Sequence, residues 1–115
     1  ELKIHSMILS WIKINNEVFD VSVADSLFSH LRGLMFSFPK NDGLLFKFNK
    51  EAYVSLHMFF VFFHIDIIYI NEKFKIIKIK KRVFPFTPFI SPIKCKYILE
   101  LKDYKNIRLN DKVKF

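Results

Sequence analysis

The sequence predicts a mainly β fold with one or two short helices, and three observations carry that prediction. Apolar and polar residues alternate with a period of two, as where Val18, Asp20 and Ser22 interleave with Phe19, Val21 and Val23. Strand-favouring residues are abundant, with 15 Phe in 115 positions. Asn, Gly and Pro cut the chain into pieces of strand length. A hydrophobic fraction of 51% supplies one dense core. No linker, repeat or low-complexity segment divides residues 1–115, so a single domain is expected.

Residues 8–14 and 17–24 read as a hairpin turning at Asn15-Asn16, because Asn tolerates the positive φ that a tight turn demands. Asp25 or Ser26 caps a short helix over Leu27, Phe28 and Leu31, with Gly33 as its stop. Pro39, Asn41, Asp42 and Gly43 form a loop before a strand at 44–48. An aromatic run through Phe63 leads to a strand at 65–70, a turn at Asn71-Glu72-Lys73 and a return strand at 74–82. In the return strand cations alternate with apolar residues until the phase slips at Ile76-Ile77, which suggests a β-bulge. Pro85, Pro88 and Pro92 exclude a central strand from 83–92 and leave an ordered loop or sheet edge. Residues 93–101 form a strand, with Ile93, Cys95, Tyr97 and Leu99 on one face. A helical turn over 103–109 and a short strand at 112–115 complete the chain.

Nineteen Lys and Arg against eleven Asp and Glu give a net charge of +8. Lys73, Lys75, Lys78, Lys80, Lys81, Arg82, Lys94 and Lys96 lie in one acid-free stretch and equal that excess, so the rest of the chain is balanced. The lone Cys95 allows no intramolecular disulfide, and a reducing, cytoplasmic setting is expected. A start at Glu1 leaves a removed N-terminal leader open. The most apolar window, 53–70, carries His57, His64 and Asp66. An Asp near the centre of a spanning helix costs roughly 2.5–3.5 kcal/mol, so no membrane span is expected.

Several short motifs recur in a familiar order. They are Val23-Ala24-Asp25, Arg32-Gly33-Leu34-Met35, Asp42-Gly43-Leu44-Leu45-Phe46, the segment from Met58 to Asp66-Ile67-Ile68, and Tyr97-Ile98-Leu99-Glu100-Leu101. Together they resemble the family known as domain of unknown function 192 over about residues 18–113. That resemblance implies a compact antiparallel β-sandwich of jelly-roll type and no established activity. The chain departs from the family pattern at His57-Met58-Phe59-Phe60-Val61, where many members carry Trp-Met-Lys-Asn-Thr, and at His64, where a proline is usual. Asn110-Asp111-Lys112-Val113 stands for the family's Gly-Asp-x-Val, with Asn a fair substitute where φ is positive.

Asp66 sits among Phe63, Ile65, Ile67 and Ile68, where an unpaired carboxylate is costly. It is either a ligand contact or a buried brace that bonds backbone or pairs with Arg32. Arg32 is one of three arginines in a Lys-rich chain, and its planar fork suits a carboxylate. His57 and His64 stand seven apart, on opposite faces of a strand, so no shared metal is expected. Cys95 reads as a small buried hydrophobe rather than a nucleophile. Two glycines allow no Gly-rich phosphate loop.

The expected function is therefore a binding or accessory module rather than an enzyme, with no cofactor. Its ligand-binding candidates are Arg32, His57 and Asp66, and the partner is an unidentified small ligand or protein. The alternative is an electrostatic nucleic-acid binder using Lys73, Lys75, Lys78, Lys80, Lys81 and Arg82, with Phe84, Phe86 and Phe89 stacking on bases. Against that alternative, lysines on an edge strand also block aggregation. Exposed phenylalanines in the 84–92 loop also offer a homodimer contact.

Overall fold

The structure is a computed structural model, and it describes residues 8–24, 42–56, 64–87, 89–102 and 106–115. The helix expected after Asp25, with Arg32 near its end, and the run 57–63 with His57 lie outside the described residues. Among the described residues there are seven strands: β1 (Ile8–Ile14), β2 (Glu17–Ala24), β3 (Gly43–Leu56), β4 (Ile65–Ile70), β5 (Ile76–Val83), β6 (Ile90–Leu101) and β7 (Val113–Lys114). No helix occurs among the described residues, and the fold is mainly β.

The strands form one mixed sheet in the order β5-β4-β6-β3-β2-β1-β7. All its pairings are antiparallel except β2 with β3, where Val21 to Ala24 run alongside Gly43 to Phe46. The one parallel pair makes this mainly β sheet mixed rather than wholly antiparallel. Parallel neighbours need a crossover of about a dozen residues or more, and the 25–42 connection supplies that length. Gly43 begins β3 where the backbones press together. A Cβ there would collide with the Glu100 carbonyl oxygen and lie 2.7 Å from Leu101 Cδ2.

The two ends of the sheet meet. An isolated bridge joins Lys75 to Lys112. Val113 N–H donates to the Phe74 carbonyl at 2.8 Å and Ile76 N–H to that of Asp111 at 3.0 Å. Inside the closed curl, Ile12, Val21, Leu45, Ile68, Leu99 and Val113 make one apolar cluster. Phe74 stacks on Tyr97 at 5.6 Å between centroids, and Phe115 meets both in T-shaped contacts at 5.5 and 4.7 Å.

The opposite face of β3, β4 and β6 carries a second cluster. Between Lys47 and Ala52 the β3–β6 ladder shifts register, and a further irregularity falls between Val54 and Leu56, opposite Pro92. A proline is admitted to a strand at such a bulge. Beyond the first shift the paired ends of β3 and β6 form an arm. Its Val54, Ile90 and Cys95 pack with Ile65, Ile67 and Tyr69, so the arm folds over β4 and gives the sheet a second layer. Cys95 therefore belongs with Ile98, not with Tyr97 and Leu99 as simple alternation suggests, because the shift reverses the facing of the strand.

The tight turns follow the sequence. Asn15 has φ 58° at the β1–β2 turn, and Asn110 has φ 71° before β7. Asn71 Oδ1 accepts the N–H groups of Lys73 and Lys75 at 2.9 and 3.0 Å, holding the β4–β5 turn.

Candidate functional site

The acid-free basic stretch maps to the end of the β4–β5 turn, β5, the loop after it and the first half of β6. Two irregularities shape β5. Tyr69 pairs with Lys78 and Ile70 with Ile76, so Ile77 is an extra residue, at the phase slip seen in the sequence. At the far end Ile65 pairs with Val83 and Ile67 with Lys80, which leaves Lys81 and Arg82 both opposite Asp66. Such bulges bend a strand and re-aim its side chains.

Asp66 holds the second bulge. Its Oδ1 accepts the Arg82 N–H at 2.8 Å, and Lys81 Nζ lies 3.4 Å from Oδ2. Arg82 is in the left-handed region at φ 52°, and Asp66 itself is only 3% exposed. The carboxylate thus stabilises a backbone turn that an arginine adopts rarely.

Immediately beyond, Thr87 N–H and Oγ1 both donate to the Phe84 carbonyl, at 3.4 and 2.7 Å. Pro85 and Phe86 occupy the middle of this turn, and Phe86 has φ 63°. Proline second and a positive φ third is a type II arrangement, whose third place favours Gly or Asn. Phe84, Phe86 and Phe89 are 67%, 50% and 62% exposed. His64 meets Phe84 in a T-shaped contact at 5.1 Å.

Around these rings the cations are unequally placed. Lys73, Lys75, Lys78, Lys81, Arg82 and Lys94 are exposed, whereas Lys80 and Lys96 are half-buried. Lys80 Nζ donates to the Ser91 carbonyl at 3.2 Å and sits 5.6 Å above the Tyr69 ring, tying β5 to the arm. Burial, then the charge of Lys78, lowers its pKa. Lys96 Nζ lies over the Tyr97 ring at 5.7 Å.

A second polar group lies beneath the arm, and the sequence offers little sign of it. Glu100 pairs with Leu44 and Ile67, is 2% exposed, and burial pushes its pKa up to about 8. Tyr69 is fully buried, and its Oη has no hydrogen-bond partner among the described residues. Burial first, then Glu100 and Cys95, raises the pKa of its hydroxyl. Cys95 is pushed up to about 12 by burial and by Glu51. The available signal for Glu100 is its place inside Tyr97-Ile98-Leu99-Glu100-Leu101, a run whose continuous apolar character implies cover on both faces. Among the described residues no three His, Cys, Asp or Glu gather to hold a metal ion, and no helix is long and apolar enough to cross a membrane.

Comparison with known proteins places this geometry in a family. Residues 10–114 match the profile of domain of unknown function 192, described as an uncharacterised ACR. A UPF0127 protein of Thermococcus sibiricus is 31% identical over 99 residues, which cover 81% of this chain and 64% of that protein, so the match spans under two thirds of its length. A UPF0127 protein of Pyrococcus horikoshii is 29% identical over 102 residues, covering 84% of this chain and 87% of that one. Among solved structures, a protein of unknown function from Novosphingobium aromaticivorans superposes with a TM-score of 0.80 at 20% identity, covering 93% of this chain and 85% of the other. A Sinorhizobium meliloti protein, proposed to be a transcription regulator, gives 0.82 at 19% identity and covers 95% of both chains. At those identities the likeness shows the fold alone. With the profile matched along nearly its whole length, the chain belongs to the domain of unknown function 192 family of uncharacterised proteins.

Proposed function

We propose that this chain is a binding module, and that β5 and its flanks engage a polyanion, nucleic acid foremost. One observation carries the reading: six cations, Lys73, Lys75, Lys78, Lys81, Arg82 and Lys94, stand exposed along a stretch that contains no acid. Protecting a sheet edge from aggregation takes a lysine or two. A longer row of one sign raises the local concentration of an anionic partner and is suited to successive phosphates.

The small-ligand reading of Arg32, His57 and Asp66 has less behind it. Asp66 already accepts the Arg82 N–H and faces Lys81, which is a bracing use of the carboxylate. The proposed regulatory role of the Sinorhizobium protein suits a nucleic-acid partner.

The test is a fluorescence anisotropy titration of the whole chain with labelled oligonucleotides and with heparin at about 50 mM salt, where electrostatic binding is strong. Saturable binding that weakens in a Lys78→Glu, Arg82→Glu double variant supports the reading. No binding to any polyanion at that salt removes it.

A further inference from the structure

We propose that the Phe84, Phe86 and Phe89 loop stacks against unpaired bases, so that the nucleic acid this surface takes is single-stranded. This deepens the polyanion reading above and rests on it. Three phenylalanines at 50% exposure or more within six residues are not a solvent-facing norm. Their placement is costly as well as exposed. Phe86 occupies the turn position with φ 63°, where Gly or Asn is the favoured residue and a bulky side chain is an outlier. Phe86 is half-exposed in a turn that Pro85 and the two Thr87 bonds to Phe84 keep in shape. His64 contacts Phe84 edge-on, bracing that ring at 5.1 Å.

The charge beside the loop selects the occupant. Lys81, which faces Asp66, and Arg82 precede it directly, Lys94 follows it, and the sequence between them holds no acid. A second copy of this chain docking through the same face would bring cations against cations. An anionic membrane would match the charge, but a membrane-inserting loop is served by cations gathered around its tip. Here the exposed cations follow one another along β5 and the turn before it, from Lys73 to Arg82, and the rings come next in the chain. Alternating phosphates and flat bases fit a row of cations with rings at one end. A duplex keeps its bases stacked inside and offers the rings nothing. Single-strand binders combine a cationic groove with aromatic platforms in this way.

The experiment measures, with the full chain, affinities for a thymidine oligomer, a duplex of the same length, heparin, and vesicles of phosphatidylglycerol and phosphatidylcholine. It repeats them for Phe84→Leu, Phe86→Gly and Phe89→Ala, each checked by thermal melting. Phe86→Gly suits the turn and keeps the fold, so its effect isolates the ring. The inference predicts tighter binding to the single strand than to the duplex. It predicts about a tenfold loss of single-strand affinity for Phe86→Gly or Phe89→Ala, with heparin binding unchanged. A fluorescent 2-aminopurine placed in the oligomer is quenched by the wild type and not by Phe86→Gly. Heparin and both nucleic acids bound alike, with the Phe variants indistinguishable from wild type, overturns stacking and leaves the polyanion reading standing. Vesicle binding that depends on the phenylalanines, with oligomer binding that does not, overturns it in favour of a membrane. No polyanion bound at all overturns both.

Discussion

Replacing Asp66 by alanine removes at least its bond to Arg82 and its contact with Lys81, and the structure sets the relative weight of these two. The first is the 2.8 Å bond from the Arg82 N–H to a carboxylate that is 3% exposed. A charge-assisted bond of this kind contributes about 1.5–3 kcal/mol. The second is the 3.4 Å contact with Lys81, whose side chain is 52% exposed. Solvent screens such a pair to about 1 kcal/mol or less. Asp66→Ala should therefore lose about 2–4 kcal/mol. Asp66→Asn keeps an oxygen where Oδ1 accepts the Arg82 N–H and loses only the charge, so its loss should stay near 1 kcal/mol. Urea denaturation at neutral pH, followed by circular dichroism, separates the two variants. The alanine variant should also lose polyanion affinity, because Lys81 and Arg82 no longer share a fixed bulge. If alanine and asparagine cost the same, or alanine costs under about 0.5 kcal/mol, the bracing role assigned to Asp66 is wrong.

Glu100, with its pKa raised from 4.5 to about 8, binds a proton in the folded state that the unfolded chain has released at intermediate pH. Its contribution is therefore fully present below about pH 4.5 and is lost as pH rises to about 8, by up to about 1.4 kcal/mol per unit. Glu100→Gln should flatten that slope in urea titrations across pH 5 to 8, and an unchanged slope contradicts a buried proton. Gly43→Ala forces a Cβ against the Glu100 carbonyl and should cost about 2 kcal/mol or more by the same assay; a neutral effect would mean the strands are not so close. Cys95, fully buried and with its thiol pushed up to about 12, should react with an aromatic disulfide reagent only as fast as the chain opens. Rapid labelling under native conditions would place the arm open in solution.

Local chemistry carried far in the sequence, and non-local pairing did not. The hairpin of β1 and β2 follows from alternation around Asn15-Asn16, and its strand limits coincide with those in the structure. The bulge at Ile77 shows as a break in alternation, and the positive φ at Asn110 as an Asn where the family pattern has Gly. These features depend on neighbours along the chain. The length of β3 does not. The sequence marks a strand only over 44–48, yet the strand continues to Leu56 because β6 continues beside it. The parallel β2–β3 pair, the arm over β4 and the resulting burial of Glu100 likewise arise from distant segments meeting. For the site, Asp66 stands out in the sequence as a carboxylate among isoleucines. Its partner Arg82 does not, because the second bulge leaves no clear break in the Lys-Lys-Arg pattern.

The salt dependence of single-strand binding tests the central claim most directly. Phosphate contacts by about four of the exposed cations predict that log affinity falls with log salt concentration at a slope near −3. They predict that Lys78→Glu, Arg82→Glu makes that slope distinctly shallower. Binding that does not change with salt, or a slope that the double variant leaves untouched, would contradict a polyanion surface on β5.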